Sequence, residues 1–288
     1  MRLPTKCGTW YPKPPELEDT LERLFVEARK TPTVVPQPDL RFLIAPHAGM
    51  AYSGLTAAHS FACIDPAKYD LVVMLGVCHA FHQRGLSCSP FSRWANPLNG
   101  SHLQMEKVPG LPLCESYECE EEHSLELEVP YLAYVFRDQL ERRSIKFTAI
   151  YAGYGVSSQE VDLLQNYIEN KKVLFVVSSD FCHYGPRFGF SPSISGKTAD
   201  EVVTEMDKDC INGVILGYDA FESAMEKTKN TVCGRYTIGT FLRLAESSGW
   251  ELTKKLLYYT KSDNPRTSRD HSVSYTAIIG ILKEPSTR

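Results

Sequence analysis

The sequence has no apolar run approaching the roughly 20 residues that span a bilayer. The stretch after Met1 (Arg2, Leu3, Pro4, Thr5, Lys6) also lacks the apolar core of a signal peptide. There is no basic excess: 31 Lys and Arg stand against 35 Asp and Glu, a formal net charge of -4. That balance argues against nucleic acid as a partner. No Cys-X-X-Cys pair occurs, so a zinc ribbon is not expected. The nine cysteines are odd in number and unpaired in spacing, which argues against a secreted disulfide framework. Gly153-Tyr154-Gly155 lacks the phosphate-cradling fingerprint that follows a first strand. No internal repeat or linker-like composition break divides the chain. These absences leave a soluble globular protein of a reducing compartment, with 43% apolar residues to form its core.

What is present is organised around Leu174 to Gly185. An apolar, β-branched run, the pattern of a strand buried on both faces, leads straight into Ser178, Ser179, Asp180, Cys182 and His183. Open α/β sheets bind ligands outside the carboxyl ends of their strands. Asp180 and His183 are three apart, so a helical turn there would project both from one face. Two other apolar runs end the same way: Arg41 to Ala45 leads to His47, and Asp70 to Leu75 leads to His79. Three strand ends that each deliver a histidine point to one pocket.

The rest of the chain alternates helix and strand. The spacing predicts helices over Glu16–Arg29, Leu55–Phe61, Leu125–Arg143, Ser158–Asn170, Ala199–Ile215, Asp219–Lys227 and Ile238–Ser247. Ser157 to Glu160 and Thr198 supply N-caps. Ala48 to Gly54 reads as a small-residue bend. Ala80 to Pro112 reads as irregular, with short strands at Leu86–Ser89 and Leu103–Val108. Lys146–Tyr151 and Leu252–Tyr259 read as strands. Ser272–Leu282 alternates as a half-buried antiparallel strand does. The expected architecture is one α/β domain over residues 1–288, three layers (α/β/α) around a mixed β-sheet.

His47 and His79 are the best-placed imidazole pair, and Asp180, Glu122 or Cys233 can supply an anion beside them. A carboxylate would complete the facial triad of non-haem iron enzymes. A thiolate would make a softer site that admits copper, zinc or iron. Cys233 precedes Gly234-Arg235 at an expected helix start, where the dipole favours a thiolate. His183 and His123 then suit outer or acid/base roles. Trp10 is an aromatic that packs or walls a pocket. His59, His82, His102 and His271 read as surface or packing residues.

Several segments resemble the Memo family: Ala45-Pro46-His47-Ala48-Gly49, Leu75-Gly76-Val77-Cys78-His79, Glu122-His123-Ser124-Leu125-Glu126, Ser178-Ser179-Asp180-Phe181-Cys182-His183 and Val232-Cys233-Gly234-Arg235. With Gly8-Thr9-Trp10-Tyr11 and Ser272 to Tyr275 they span nearly the whole chain in order. The resemblance implies a fold similar to the class III extradiol dioxygenases, which are non-haem iron enzymes. It maps His47, His79 and Cys233 onto metal-site residues, and Asp180 and His183 onto the other polar, catalytic positions. Trp10, Glu122, His123 and Arg235 become candidate ligand-binding residues. A carboxylate is the third ligand in the dioxygenases, and cysteine in its place tells against ring cleavage while leaving a metal-dependent oxidoreductase open.

The resemblance further implies a cytoplasmic protein, with the nucleus as a second location, that binds iron or copper and has redox activity. It implies links to receptor tyrosine kinase signalling, cell motility and metal homeostasis, and phosphotyrosine-peptide binding in the same pocket. Three positions depart from the pattern. Lys6-Cys7 replaces a histidine, Glu128 stands where His or Gln is common, and Ala80 replaces a second histidine after His79. The chain thus carries three readings: a metal-binding redox protein, a phosphotyrosine-peptide module without turnover, or a cysteine hydrolase using Cys233, His183 and Asp180.

Overall fold

The computed structural model describes residues 1–283. Its strands are β1 Leu40–Ala45, β2 Leu71–Val77, β3 Leu86–Cys88, β4 Arg93–Ala95, β5 His102–Glu106, β6 Lys146–Ala152, β7 Val173–Ser178, β8 His183–Tyr184, β9 Leu252–Lys261 and β10 Ser272–Leu282. The helices are α1 Glu16–Ala28, α2 Met50–Phe61, α3 Ser116–Glu121, α4 Val129–Val135, α5 Arg137–Glu141, α6 Ser158–Asp162, α7 Gln165–Glu169, α8 Ala199–Leu216, α9 Tyr218–Thr228 and α10 Arg235–Ser247.

All ten strands join one open mixed sheet, in which β6, β2, β7 and β1 are parallel neighbours. β10 closes onto β1 antiparallel, and β9 lies outside it. The three strands that the apolar runs predict are therefore adjacent, and their carboxyl ends share one edge.

Residues alternate into two cores along each central strand. Phe42 and Ile44 of β1 join one core with Val73 and Leu75 of β2 and Phe175 and Val177 of β7. Leu43, Val72, Met74, Leu174 and Val176 join the other. The first is covered by Ile168, Phe221 and Phe241 of α7, α9 and α10. The second is covered by Leu21, Phe61 and Leu132 of α1, α2 and α4. Covered on both sides, such strands lose the polar alternation of a surface sheet and read as unbroken apolar runs. The α/β/α expectation holds.

Some local expectations fail for identifiable reasons. Met50 to Gly54 is the first half of α2 rather than a bend. Its small residues serve packing, since a Cβ on Gly54 would sit 3.0 Å from Leu24 of α1. The segment Leu125–Arg143 is a 3-10 turn followed by α4 and α5, broken at Phe136. Pro130 lies in the first turn of α4, where a missing N–H costs nothing. The segment after Ser157 keeps its capping box but divides into α6 and α7. β10 is buried along most of its length rather than half-buried, because Ile279 enters the core on one face of the sheet and Ile278 the core on the other. Residues 180–183 are not helical. Phe181 N donates to Ser274 O (2.8 Å) and Ser274 N to Cys182 O (2.9 Å), so the stretch runs extended beside β10. β4 is a short strand inside the region expected to be irregular, and α3 is a short helix just after it.

The N-terminal segment is tied down by a side chain that the sequence reading passed over. Arg2 is 2% exposed. It donates to the carbonyls of Cys119 (2.8 Å) and Glu122 (2.7 Å) and pairs with buried Glu126 at 2.8 Å. Glu126 also accepts from Lys6 N, Thr5 Oγ1 and the Tyr11 hydroxyl. Removing one member of a buried ion pair strands the other. Arg2→Met is therefore expected to destabilise the fold by about 3–5 kcal/mol in urea unfolding, and a change under 1 kcal/mol would contradict this account.

Candidate metal centre

The centre sits where β1, β2 and β7 end. Pro46 carries the chain out of β1, and His47 follows, 1% exposed. Its backbone N–H donates to Asp180 Oδ1 (2.8 Å), Nδ1 lies 2.7 Å from Ser178 Oγ, and Nε2 lies 3.3 Å from Cys233 Sγ. His79, just beyond β2, places Nδ1 3.0 Å from Glu122 Oε1, and its backbone N–H donates to Glu122 Oε2. Cys233 precedes the Gly234 cap of α10, and Asp180 N–H donates to its sulfur at 3.3 Å. A Cβ on Gly234 would lie 2.4 Å from that of Ser179. Only glycine lets this turn come close enough to bring the sulfur to the strand ends.

His47, His79 and Cys233 each offer a donor atom, all within 4.8 Å of one another. Two imidazole nitrogens and a sulfur suit copper, zinc or iron. The alternative anions fit less well. Asp180 accepts the His47 N–H. Glu122 is fully buried and accepts backbone N–H groups from His79, Ala80, His123 and Ser124. His79, Glu122 and His123 do form a second close group, yet a carboxylate so completely satisfied serves to orient His79 rather than to ligate.

The hydroxyl of Ser178 fixes the tautomer of His47. Its Oγ faces Ser124 O (2.8 Å), Glu128 Oε1 (2.6 Å) and His47 Nδ1. A carbonyl only accepts, so Ser124 takes the single hydroxyl hydrogen and Oγ accepts from the other two. Burial, with Asp180 adding to it, pushes the Glu128 carboxyl well above its ordinary range, so it is an acid able to donate. His47 then carries hydrogen on Nδ1 and turns the Nε2 lone pair towards Cys233.

The three imidazoles differ in charge. Burial keeps His47 neutral, reinforced by His79 and His123. Burial and the charge of His79 lower His123 to about 4. Burial also opposes the charge of His79, but hydrogen bonds and attraction from Cys233 and Glu122 raise it to about 10. The Glu122 carboxyl is held far below its ordinary range: burial alone would raise it, and His79, His123 and the Ser124 N–H overcome that. At Cys233 burial outweighs the help of His79 and raises the thiol, contrary to the helix-start expectation.

The three imidazoles line a cleft of about 660 Å³ together with Trp10, Asp180 and His183, and Cys233 stands beside His47 and His79. Trp10 is 38% exposed, with its ring 4.5 Å from that of His123, so it walls the cleft. Arg235 does not reach it: its guanidinium pairs with Glu222 on a separate depression beside Tyr218 and Arg243. The hydrolase set is not assembled. Cys233 meets His47, while His183 Nδ1 lies 2.9 Å from the carbonyl of Phe181. Arg187 and His271 line the cleft unforeseen. Arg187 lies four residues past the recognised His183. His271 arrives only through the pairing of Ser272 with Tyr184, which no local pattern announces.

A family model described as Memo-like protein matches residues 2–279. The chain belongs to the Memo family. The Caenorhabditis elegans protein memo-1 homolog is 34% identical over 256 residues, 84% of this chain and 72% of the worm protein. Protein MEMO1 of Homo sapiens is 29% identical over 296 residues, 96% of each chain. A MEMO1 family protein of Schizosaccharomyces pombe is 29% identical over 305 residues, covering 96% of this chain and 97% of its own. In this Memo chain four of the five recognised segments put residues into the cleft lining, and the fifth brings Cys233 beside His47 and His79.

The raised value of His79 has a definite sign. Its folded pKa, about 10, exceeds the ordinary 6.5, so the stability it adds is full below pH 6.5 and lost as pH rises towards 10. Glu122→Gln should bring the His79 titration, followed by imidazole NMR, back towards neutrality and flatten the loss of stability over that window. An unchanged titration would refute the pairing.

Proposed function

We propose that this chain is a metal-binding redox protein of the Memo type, with iron or copper held by His47, His79 and Cys233 and zinc as the redox-silent alternative. The observation that carries this reading is the close N, N, S donor set, whose two imidazoles line an open cleft and are oriented from behind. Such an ion supplies electron transfer and Lewis acidity when bound. The remaining residues bind and orient around it. Asp180 anchors the backbone of His47, and His183, with Nδ1 committed to carbonyls, keeps Nε2 as the nitrogen able to take a proton. Family membership supports a cytoplasmic role connected to receptor tyrosine kinase signalling and cell motility. No helix among the described residues is long and apolar enough to cross a membrane.

The test is elemental analysis of protein prepared anaerobically with Fe(II) or Cu(I), beside a His47→Ala/Cys233→Ala control. Near-stoichiometric metal is expected in the wild type alone. Cys233→Ser should weaken binding by more than about 100-fold, beyond the effect of losing an outer partner, and unchanged affinity would remove Cys233 from the ligand set.

Arg187 and His271 favour a second reading, capture of a phosphotyrosine peptide, because they join His183 in lining the same cleft with groups that bind phosphate. Titration of a phosphotyrosine peptide against its unphosphorylated twin decides it. At least tenfold tighter binding of the phosphorylated form is expected, and equal affinities would dismiss this reading.

A further inference from the structure

A second hollow, of about 210 Å³, lies between α9 and α10 beside the chain leaving β6, and no residue lines both it and the cleft. Two guanidiniums stand in its walls. Arg243 donates through Nη1 to Val156 O (2.7 Å) and through Nη2 to Ser158 Oγ (3.0 Å), and its guanidinium lies 5.7 Å from the ring centre of Tyr218. Arg235 pairs with Glu222 through Nε and Nη2. Each arginine is thus held in place with donors to spare. Among the described residues, Arg243 Nε, Arg235 Nη1 and the hydroxyls of Tyr218 and Tyr236 bond to no protein atom. Glu222 is the one acid among the described residues of the lining, and Arg235 neutralises it, so Arg243 leaves the hollow positive. α10 begins at this wall with no acidic residue in its first turn, and its dipole adds to that potential. Gly239 shows independently that the space is kept open. It lies inside α10, where glycine weakens a helix relative to alanine. Neither packing nor backbone demands it: an added Cβ would meet nothing closer than 3.4 Å, an ordinary contact, and its φ is not left-handed. What a larger side chain would take away is the hollow that Gly239 lines.

We propose that this hollow, separate from the cleft, is a binding site for the phosphoryl group of a small molecule, either free phosphate or a phosphate monoester. The choice of anion follows from the shape of the donor set. A planar carboxylate is matched best by one open guanidinium fork, and here both forks are spent on Glu222, Val156 and Ser158. What remains is a set of single N–H and O–H groups carried by four side chains. A phosphoryl group, with three strong acceptor oxygens, takes such separate donors from several sides. Its charge answers the uncompensated Arg243, and the fixed guanidiniums lose little freedom when it binds. Tyr236, 44% exposed, leaves its ring to the organic part of an ester. Arg235, which the cleft does not use, thereby has a binding role of its own.

The experiment titrates full-length protein with inorganic phosphate, glycerol phosphate and acetate in separate arms, followed by amide NMR. Saturable shifts of the Tyr236 and Gly239 resonances are expected with both phosphates, at an affinity roughly tenfold or more above that for acetate. Tighter binding of glycerol phosphate than of inorganic phosphate identifies an ester as the ligand, and equal binding identifies phosphate itself. Arg243→Gln should weaken both roughly tenfold. Because Arg243 also holds Val156 and Ser158, Gly239→Leu is the second variant. It fills the hollow and removes no donor, and leucine favours a helix, so it should abolish the shifts without lowering Tm. Undiminished phosphate binding in Gly239→Leu would overturn the proposal. So would acetate binding as tightly as phosphate, or shifts confined to cleft residues such as Arg187 and His183.

Discussion

One buried carboxylate holds the functional end of this molecule together. Among the described residues no guanidinium or ammonium pairs with the Glu122 carboxylate, yet it is fully buried and ionised. What makes that tolerable is geometry. Four backbone N–H groups and one imidazole converge on its two oxygens. Two of those N–H groups belong to the end of β2 and two to the turn after α3. The carboxylate therefore joins two segments more than 40 positions apart in the chain. It also fixes which nitrogen of His79 is free. An orphaned buried carboxylate costs far more than a hydrogen-bonded one, so these segments cannot drift apart without large penalty.

The same economy appears at the N-terminus, with a different carboxylate and a real counter-charge. Glu126 collects Arg2, Lys6 N, Thr5 and Tyr11, and that segment delivers Trp10 to the cleft. The motif Glu122-His123-Ser124-Leu125-Glu126 is thus a bracket. Its first acid positions a donor imidazole, and its last acid positions a wall. His123 lies between them, stacked on His79 with ring centres 4.6 Å apart and tilted against Trp10 at 4.5 Å.

The strand ends were legible because a parallel sheet covered on both faces writes itself as apolar runs, and each run stops at the residue where chemistry begins. His47, His79, Asp180 and His183 could be placed that way, whereas Trp10 entered through the family resemblance. Short elements could not. β4 and α3 are too brief to show a period, and they are fixed by partners far away in sequence. Arg235 was drawn in by its position beside Cys233, but the turn at Gly234 that aims the sulfur inward aims the next side chain outward to Glu222. Arg2 shows the limit most clearly. Nothing local marks an arginine next to the N-terminus as buried, and only the carbonyls of Cys119 and Glu122 and the carboxylate of Glu126 explain it.

Charge at the cleft floor follows from these arrangements. His47 and His79 have ring centres 5.1 Å apart, and His47 and His123 5.5 Å apart. Three imidazolium ions at that spacing would repel strongly in a partly dry site. The structure resolves the conflict by giving the proton to His79, the ring with an ionised carboxylate behind it. His47 has a carboxyl group behind it too, reached through Ser178, but that one is neutral. Two glutamates with opposite protonation states thus back the two imidazoles. Glu122 attracts a proton to its ring, whereas Glu128 leaves its ring neutral and fixes where the hydrogen sits. The difference comes from supply of donors: Glu122 receives four N–H groups, and Glu128 has one hydroxyl oxygen and an unpartnered Oε2. His79 and His123 first, and backbone amides after them, hold Glu122 ionised, whereas Glu128 has only the Ser178 hydroxyl against its burial and stays neutral.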